Sequence, residues 1–221
     1  MSERVKDLFD LPEWSPVPPR YNVAPSQAVP VVLLNRETTF REVRRMRWGL
    51  VPFWAKDPSI GDRMINARAE TVAAKPAFRR PFRERRCLIP ADGFYEWQRQ
   101  GRQKQPWYIR RRDGEPFAFA GLWDLWQPPG EEPLESCTIV TTAPNALLAP
   151  IHDRMPVILA RPDFPRWLDP TYQDLEALTR LLVPCPVEDF ETFPVSLRVN
   201  NPANEGAECR TPFLKQIEPE A

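Results

Sequence analysis

Twenty-eight of the 221 residues are proline, against an ordinary share of about 5%. Each proline removes a backbone donor and clashes with the preceding helical turn, so a chain punctuated this often cannot build long uninterrupted helices. Short strands joined by rigid loops fit better. Hydrophobic residues make up 42% of the chain, with eight Trp and twelve Phe, enough for a packed core. No internal repeat and no linker long enough to divide domains is visible. The expectation is one α+β domain over residues 1–221, β-rich, with a curved or barrel-like mixed sheet and short peripheral helices.

Local patterns fill in that outline. Val5, Leu8 and Phe9 stand at i, i+3 and i+4, predicting a short amphipathic helix over residues 3–11. A proline-rich connector follows (Pro12, Pro16, Pro18, Pro19). Residues 29–34 read as a buried strand, paired through the Asn35-Arg36-Glu37 turn with a strand over 40–48. Residues 65–71 open a short helical stretch that ends near Lys75-Pro76, and residues 78–86 form an arginine-dense segment broken by Pro81. Strands are expected at 87–90, 94–98, 107–112, 117–126, 137–142, 156–160 and 193–199. The Asp113-Gly114 pair suggests a hairpin between two of them. A helical turn at 145–149 delivers His152, and leucines at 175, 178, 181 and 182 mark a surface helix over 173–182.

Several function classes drop out. No apolar run approaches the ~18 residues that span a bilayer, and the first residues lack the basic start and apolar core of a signal peptide. Cys87, Cys137, Cys185 and Cys209 are widely separated, form no CxxC pair, and share the chain with a single histidine. A zinc site is therefore not expected, nor any other metal or cofactor. The cysteines read as reduced, mostly structural thiols of a cytoplasmic protein. Formal net charge is zero, but residues 36–112 carry 20 Lys and Arg against 8 Asp and Glu, a local +12. Most of those cations are Arg, and aromatics are interleaved with them. That combination suits single-stranded nucleic acid; an ordinary solvated face over an aromatic core is the equal alternative.

The candidate chemistry centres on few residues. His152 is the only histidine, and proton transfer near neutral pH runs through it or through a perturbed carboxylate. A lone histidine is more often a hydrogen-bonded structural residue. Glu96 sits in Gly93-Phe94-Tyr95-Glu96-Trp97, where strand alternation puts it on the face of Phe94. Among aromatics its pKa should rise; at a wet strand edge it would not. Asn66 precedes Arg68 by two residues, so in extended chain both point the same way and suit a carbonyl or a phosphate–sugar group. In a helix, Asn66 would instead be a cap. Thr141 and Thr142 end a strand before His152 and offer hydroxyls to a ligand or to nearby backbone. No GxSxG or Gly-rich phosphate loop is present.

Six motifs in order are Arg20-Tyr21-Asn22-Val23-Ala24-Pro25, Trp48-Gly49-Leu50-Val51-Pro52, Ile65-Asn66-Ala67-Arg68-Ala69-Glu70-Thr71, Pro90-Ala91-Asp92-Gly93-Phe94-Tyr95-Glu96-Trp97, Ile151-His152-Asp153-Arg154-Met155-Pro156 and Val199-Asn200. Together they resemble the SRAP family (SOS response-associated peptidase, the abasic-site processing proteins) over about residues 3–213. The resemblance implies a sensor of abasic sites in single-stranded DNA, monomeric, working at the nucleoid without metal or cofactor. In that family a cysteine following the initiator methionine condenses through amine and thiol with the ring-opened sugar, giving a thiazolidine crosslink. The resemblance implies that Glu96 orients and deprotonates the amine, that His152 is the acid on the sugar ring oxygen, and that Asn66 holds the N-terminal residue and the lesion. It implies that Arg68 and its neighbours bind flanking phosphates and that Trp48 and Trp54 wedge or stack at the lesion. Pro25, Thr141 and Arg154 complete the expected DNA-binding set.

The family begins Met-Cys-Gly-Arg-Phe, whereas residue 2 here is Ser2 and the first helix begins at once. The expectation is a start placed too far downstream, in preference to a shortened chain or a true pseudoenzyme. As written, the chain is expected to bind without crosslinking. The alternatives are a noncovalent single-stranded DNA-binding module and, ranked last, a peptide hydrolase using His152 and Glu96, for which no nucleophile or metal site is identifiable.

Overall fold

The computed structural model describes residues 2–14 and 18–213, with side chains from residue 4 onward; Pro16 of the connector lies outside them. Helix α1 spans Ser2–Leu8. Val5 and Phe9 are buried, and the Phe9 ring stacks on Phe164 at 5.5 Å, so the apolar stripe read from the sequence is what docks this helix. Strands β1 (Ala28–Leu34) and β2 (Arg41–Trp48) form the expected antiparallel hairpin, Ala28 opposite Arg47 and Leu34 opposite Arg41.

The remaining elements are β3 (Asn66–Arg68), α2 (Arg79–Glu84), β4 (Arg86–Ala91), β5 (Phe94–Gln100), β6 (Gln103–Arg111), β7 (Phe117–Trp126), β8 (Leu134–Thr142), β9 (Met155–Pro156), β10 (Ile158–Leu159), α3 (Phe164–Leu168), α4 (Leu175–Arg180) and β11 (Phe190–Pro194). Five strands close into a ring. β7, β4, β1, β2 and β8 pair in that order, and β8 pairs back to β7. The junctions on β8 shape the site. Its first half pairs with β2 on one edge and β7 on the other; its second half pairs with β3 and β9 instead. Where β7 and β8 part, residues 155–159 fill the gap, with Val157 N–H donating to Val140 O and Ala120 N–H to Val157 O. A separate sheet, β11-β6-β5, packs beside the ring. Phe94 joins the two, edge-on to Phe117 and Phe119.

Several local expectations are corrected. Residues 66–68 are a strand, not the opening of a helix, because their amides find partners along β8, Asn66 opposite Ile139 and Arg68 opposite Thr141. Asp113-Gly114 is a turn, with Gly114 at φ +70°, but not a hairpin. β6 pairs with β5 and β11 while β7 joins the ring, so the turn carries the chain between sheets. Pro81 does not break its segment. It is the third residue of α2, within the first turn, where its missing N–H has no partner to lose. The last strand is Phe190–Pro194, earlier than expected, and a 3-10 turn, Leu197–Asn200, follows it.

One buried arginine fastens the peripheral helices. Arg86 is 3% exposed and reaches no carboxylate among the described residues. Its guanidinium donates instead to the carbonyls of Phe82 (2.7 Å), Arg83 (2.6 Å), Trp167 (2.7 Å), Tyr172 (3.2 Å) and Asp169. These close the ends of α2 and α3, whose last carbonyls lack intrahelical donors. Burial lowers the Arg86 pKa to about 10, still charged at neutral pH. No helix among the described residues is long and apolar enough to cross a membrane.

Candidate functional site

β5 supplies the carboxylate. Alternation sends Phe94 into the core between the sheets and Tyr95 the other way, where its hydroxyl donates to Tyr21 O at 2.7 Å. Glu96 and Gln98 then share the Phe94 face. Gln98 Nε2 donates to Pro150 O at 2.9 Å, tying β5 to the loop that carries His152. Glu96 Oε2 thereby comes to 3.8 Å from His152 Nδ1. The Glu96 side chain is 21% exposed. Burial pushes its pKa up to about 7, against the opposing pull of His152 and with a small push from Asp153. The imidazole is more open, 40% exposed.

The loop before His152 is organised by Asn145, a buried residue without a role in the sequence reading. Its Oδ1 accepts from Leu147 N–H and Leu148 N–H at 3.1 Å, and its Nδ2 donates to Cys185 O at 3.0 Å. The turn so capped ends with His152 N–H donating to Leu148 O.

A cavity of about 500 Å3 opens between the ring and the small sheet. Asn66, Glu96, Thr141, Trp48 and Pro25 line it together, drawn from β3, β5, β8, β2 and the segment before β1. His152 adjoins it through Glu96. Asn66 and Arg68 are both exposed on either side of buried Ala67, the extended alternative left open by their spacing. Trp48 is fixed by its own Nε1–H, which donates to Ile65 O at 2.9 Å and so holds the residue before Asn66. The turn after it needs glycine: Gly49 has φ +125°, and a Cβ there would lie 2.6 Å from Gly61 O.

Arg68, Trp54 and Arg154 are not in the cavity wall. Trp54 is 47% exposed beside Phe53, whose ring lies 4.7 Å under the Arg80 guanidinium. The Phe53 amide donates to Asp124 Oδ2, and Arg85 pairs with that buried carboxylate. Along residues 56–83, Lys56, Arg63, Arg68, Lys75, Arg79 and Arg83 are exposed, and no carboxylate among the described residues lies in ion-pair range of them. Arg154 is engaged internally. It forks onto Glu70 at 2.6 and 3.0 Å and donates to Thr141 O at 2.6 Å.

Asn22 is a second residue the sequence reading left without a role. Buried, its Nδ2 donates to Val199 O (3.0 Å) and to Asn201 O and Asn204 O (3.1 Å each), clamping the loop that forms the outer cavity wall. Trp97 Nε1–H donates to Asn200 Oδ1 on the same loop at 2.7 Å. At the wall's base, Gly93 is required by contact: a Cβ would stand 2.1 Å from Tyr108 Oη.

The chemistry within reach is proton exchange near neutrality, by a carboxyl held near 7 beside an imidazole, next to an amide and a hydroxyl for orientation. The four cysteines are buried. Burial holds Cys137 and Cys185 up at about 12 and Cys87 higher than an ordinary thiol, so none is a ready thiolate. No group of three or more His, Cys, Asp or Glu that could hold a metal occurs among the described residues.

The family model described as SOS response associated peptidase (SRAP) matches residues 2–202. The chain belongs to the SRAP family. Among its relatives, the abasic site processing protein YoaM of Bacillus subtilis (strain 168) is 47% identical over 206 residues, 91% of this chain and 90% of that protein. The abasic site processing protein HMCES of Xenopus tropicalis is 34% identical over 225 residues, 89% of this chain and 67% of that protein. A crystal structure of a protein from Bacteroides thetaiotaomicron superposes with a TM-score of 0.76 at 30% identity, covering 86% of this chain and 82% of that one. Another from Bordetella bronchiseptica gives 0.76 at 25% identity, covering 89% and 96%. The mixed, mostly sheet architecture with short helices is thus the SRAP fold, and the expected fold class is borne out.

Proposed function

We propose that this protein recognises abasic sites in single-stranded DNA at the Asn66–Glu96–His152 cavity. We propose further that the form bearing a cysteine directly after its initiator methionine joins to them covalently. The observation that carries the reading is the convergence of Asn66, Glu96, Thr141 and Trp48 on one cavity beside His152, in a family whose relatives bear the name abasic site processing protein.

The steps balance without an oxidant. Glu96, with a pKa near 7, takes a proton from the N-terminal ammonium. The amine adds to the aldehyde of the ring-opened sugar; His152 protonates the departing oxygen; water leaves and an imine forms. The thiol of the same cysteine then adds to the imine carbon, and its proton passes to the imine nitrogen to close a thiazolidine. Only an N-terminal cysteine has amine and thiol on one residue, and Cys87, Cys137, Cys185 and Cys209 do not. Ser2 itself has no thiol for this closure. Flanking phosphates fall to Arg68 and the unpaired cations around α2, and bases stack on Trp54 and Phe53.

The test is a denaturing gel of uracil-excised single-stranded DNA mixed with protein bearing an N-terminal Met-Cys-Gly-Arg extension. A denaturant-stable shifted band is expected. Its absence overturns the covalent reading.

A further inference from the structure

One donor and three acceptors surround a single ring nitrogen of His152. Arg154 N–H donates to Nδ1 at 3.1 Å. Arg154 O lies 3.2 Å from the same atom, Asp153 Oδ1 3.4 Å and Glu96 Oε2 3.8 Å. A neutral imidazole carries one hydrogen, and a backbone amide can only donate. A hydrogen on Nδ1 would face the Arg154 amide hydrogen and strip that amide of its acceptor. A bare Nδ1 satisfies it. When a proton does arrive at Nδ1 the Arg154 amide gives up that acceptor, and the new N–H turns instead to the surrounding oxygens of Arg154, Asp153 and Glu96.

The amide is held in place by its own side chain. Arg154 is anchored at both ends, its chain running into β9 at Met155 and its guanidinium forked onto Glu70 with a further bond to Thr141 O. That bond holds the Glu70 carboxyl below its ordinary pKa, so it stays charged at neutral pH. The pair spans β8, whose Thr141 also lines the cavity.

We propose that Glu70 and Arg154 are positioning residues that lock neutral His152 as the Nε2–H tautomer, making Nδ1, the atom facing Glu96, the one that takes up and releases the proton. The proton path is then short: from the Glu96 carboxyl to Nδ1, leaving carboxylate and imidazolium, and from Nδ1 to the departing oxygen. Nε2 keeps its hydrogen throughout and serves as a fixed donor. This deepens the reading of His152 as the acid of the cavity and rests on it for its role, but the tautomer itself is a property of the free protein.

The chain has one histidine, so 15N labelling reads this site alone. A long-range 1H–15N correlation of the chain in alkaline buffer is expected to show a pyridine-type shift at Nδ1 and a pyrrole-type shift at Nε2. The reverse pattern, or an average of the two, overturns the tautomer. In Glu70→Gln the single pattern is expected to collapse toward an average of both tautomers; an unchanged pattern in that folded variant overturns the positioning role. If Glu70→Gln does not fold, Arg154→Lys, which keeps the charge and loses the fork, is read in the same way. No DNA is present, so a failed crosslinking gel leaves this result standing, and the reverse also holds.

Discussion

Glu96 on β5 and His152 on the loop before β9 meet at 3.8 Å, and burial there outweighs the imidazole's pull on the carboxyl. A carboxyl raised in the folded state binds protons that the unfolded chain has already released. Between the unfolded value near 4.5 and the folded value of about 7, stability therefore falls as pH rises. Below that window the group costs nothing; above it the full cost is present, about 3 kcal/mol at most. Glu96→Gln should flatten this decline and make the protein more stable than wild type in mildly alkaline buffer. Urea unfolding at either end of the window measures it.

Arg86 is the reverse case, a buried charge whose removal hurts. Arg86→Ala leaves the carbonyls of Phe82, Arg83, Trp167, Asp169 and Tyr172 without their donor. Denaturant unfolding should show a loss of about 3–5 kcal/mol, the cost of several buried carbonyls left unpaired at once.

Asn22→Ala should cost about 1–3 kcal/mol by the same measurement, the penalty of buried carbonyls left unpaired. It should also free the loop around Asn200. Hydrogen exchange is expected to speed up at residues 199–204 and not on β7, deep in the ring.

These three residues mark how far the sequence was legible. The β1–β2 hairpin, β7 and the turn at Asn145 could be read because their patterns are local. So could the alternation that puts Phe94 and Glu96 on one face. Asn22 and Asn145 could not be given roles. Asn22 acts on carbonyls 177 to 182 residues away and Asn145 on Cys185. Glu70 escaped notice for the same reason, its partner Arg154 lying 84 residues on. At residues 66–68 the local pattern allowed a helix, and the open edge of β8 decided for a strand. At Asp113-Gly114 the turn was readable, but which sheet the next strand joins depends on β4 and β8. The ordered motifs drew Asn66, Glu96 and His152 together before any geometry was known.

For the nucleic-acid face, the exposed pair Phe53 and Trp54 and the unpaired cations predict separable effects. Trp54→Ala should weaken single-stranded DNA binding by about 1–3 kcal/mol with little change in salt dependence. Arg68→Ala should lower the slope of log affinity against log salt by about 0.7, the loss of one phosphate contact on a single strand. Titrations at several salt concentrations separate the two.

If the cavity itself recognises the baseless sugar, the affinity of this chain for one single-stranded oligonucleotide should depend on whether it carries a central abasic site or an intact base. Tighter binding to the abasic strand by about tenfold, or 1.4 kcal/mol, is expected, with loss of that preference in Asn66→Ala. Equal affinity for the two strands in the unaltered chain would contradict that recognition.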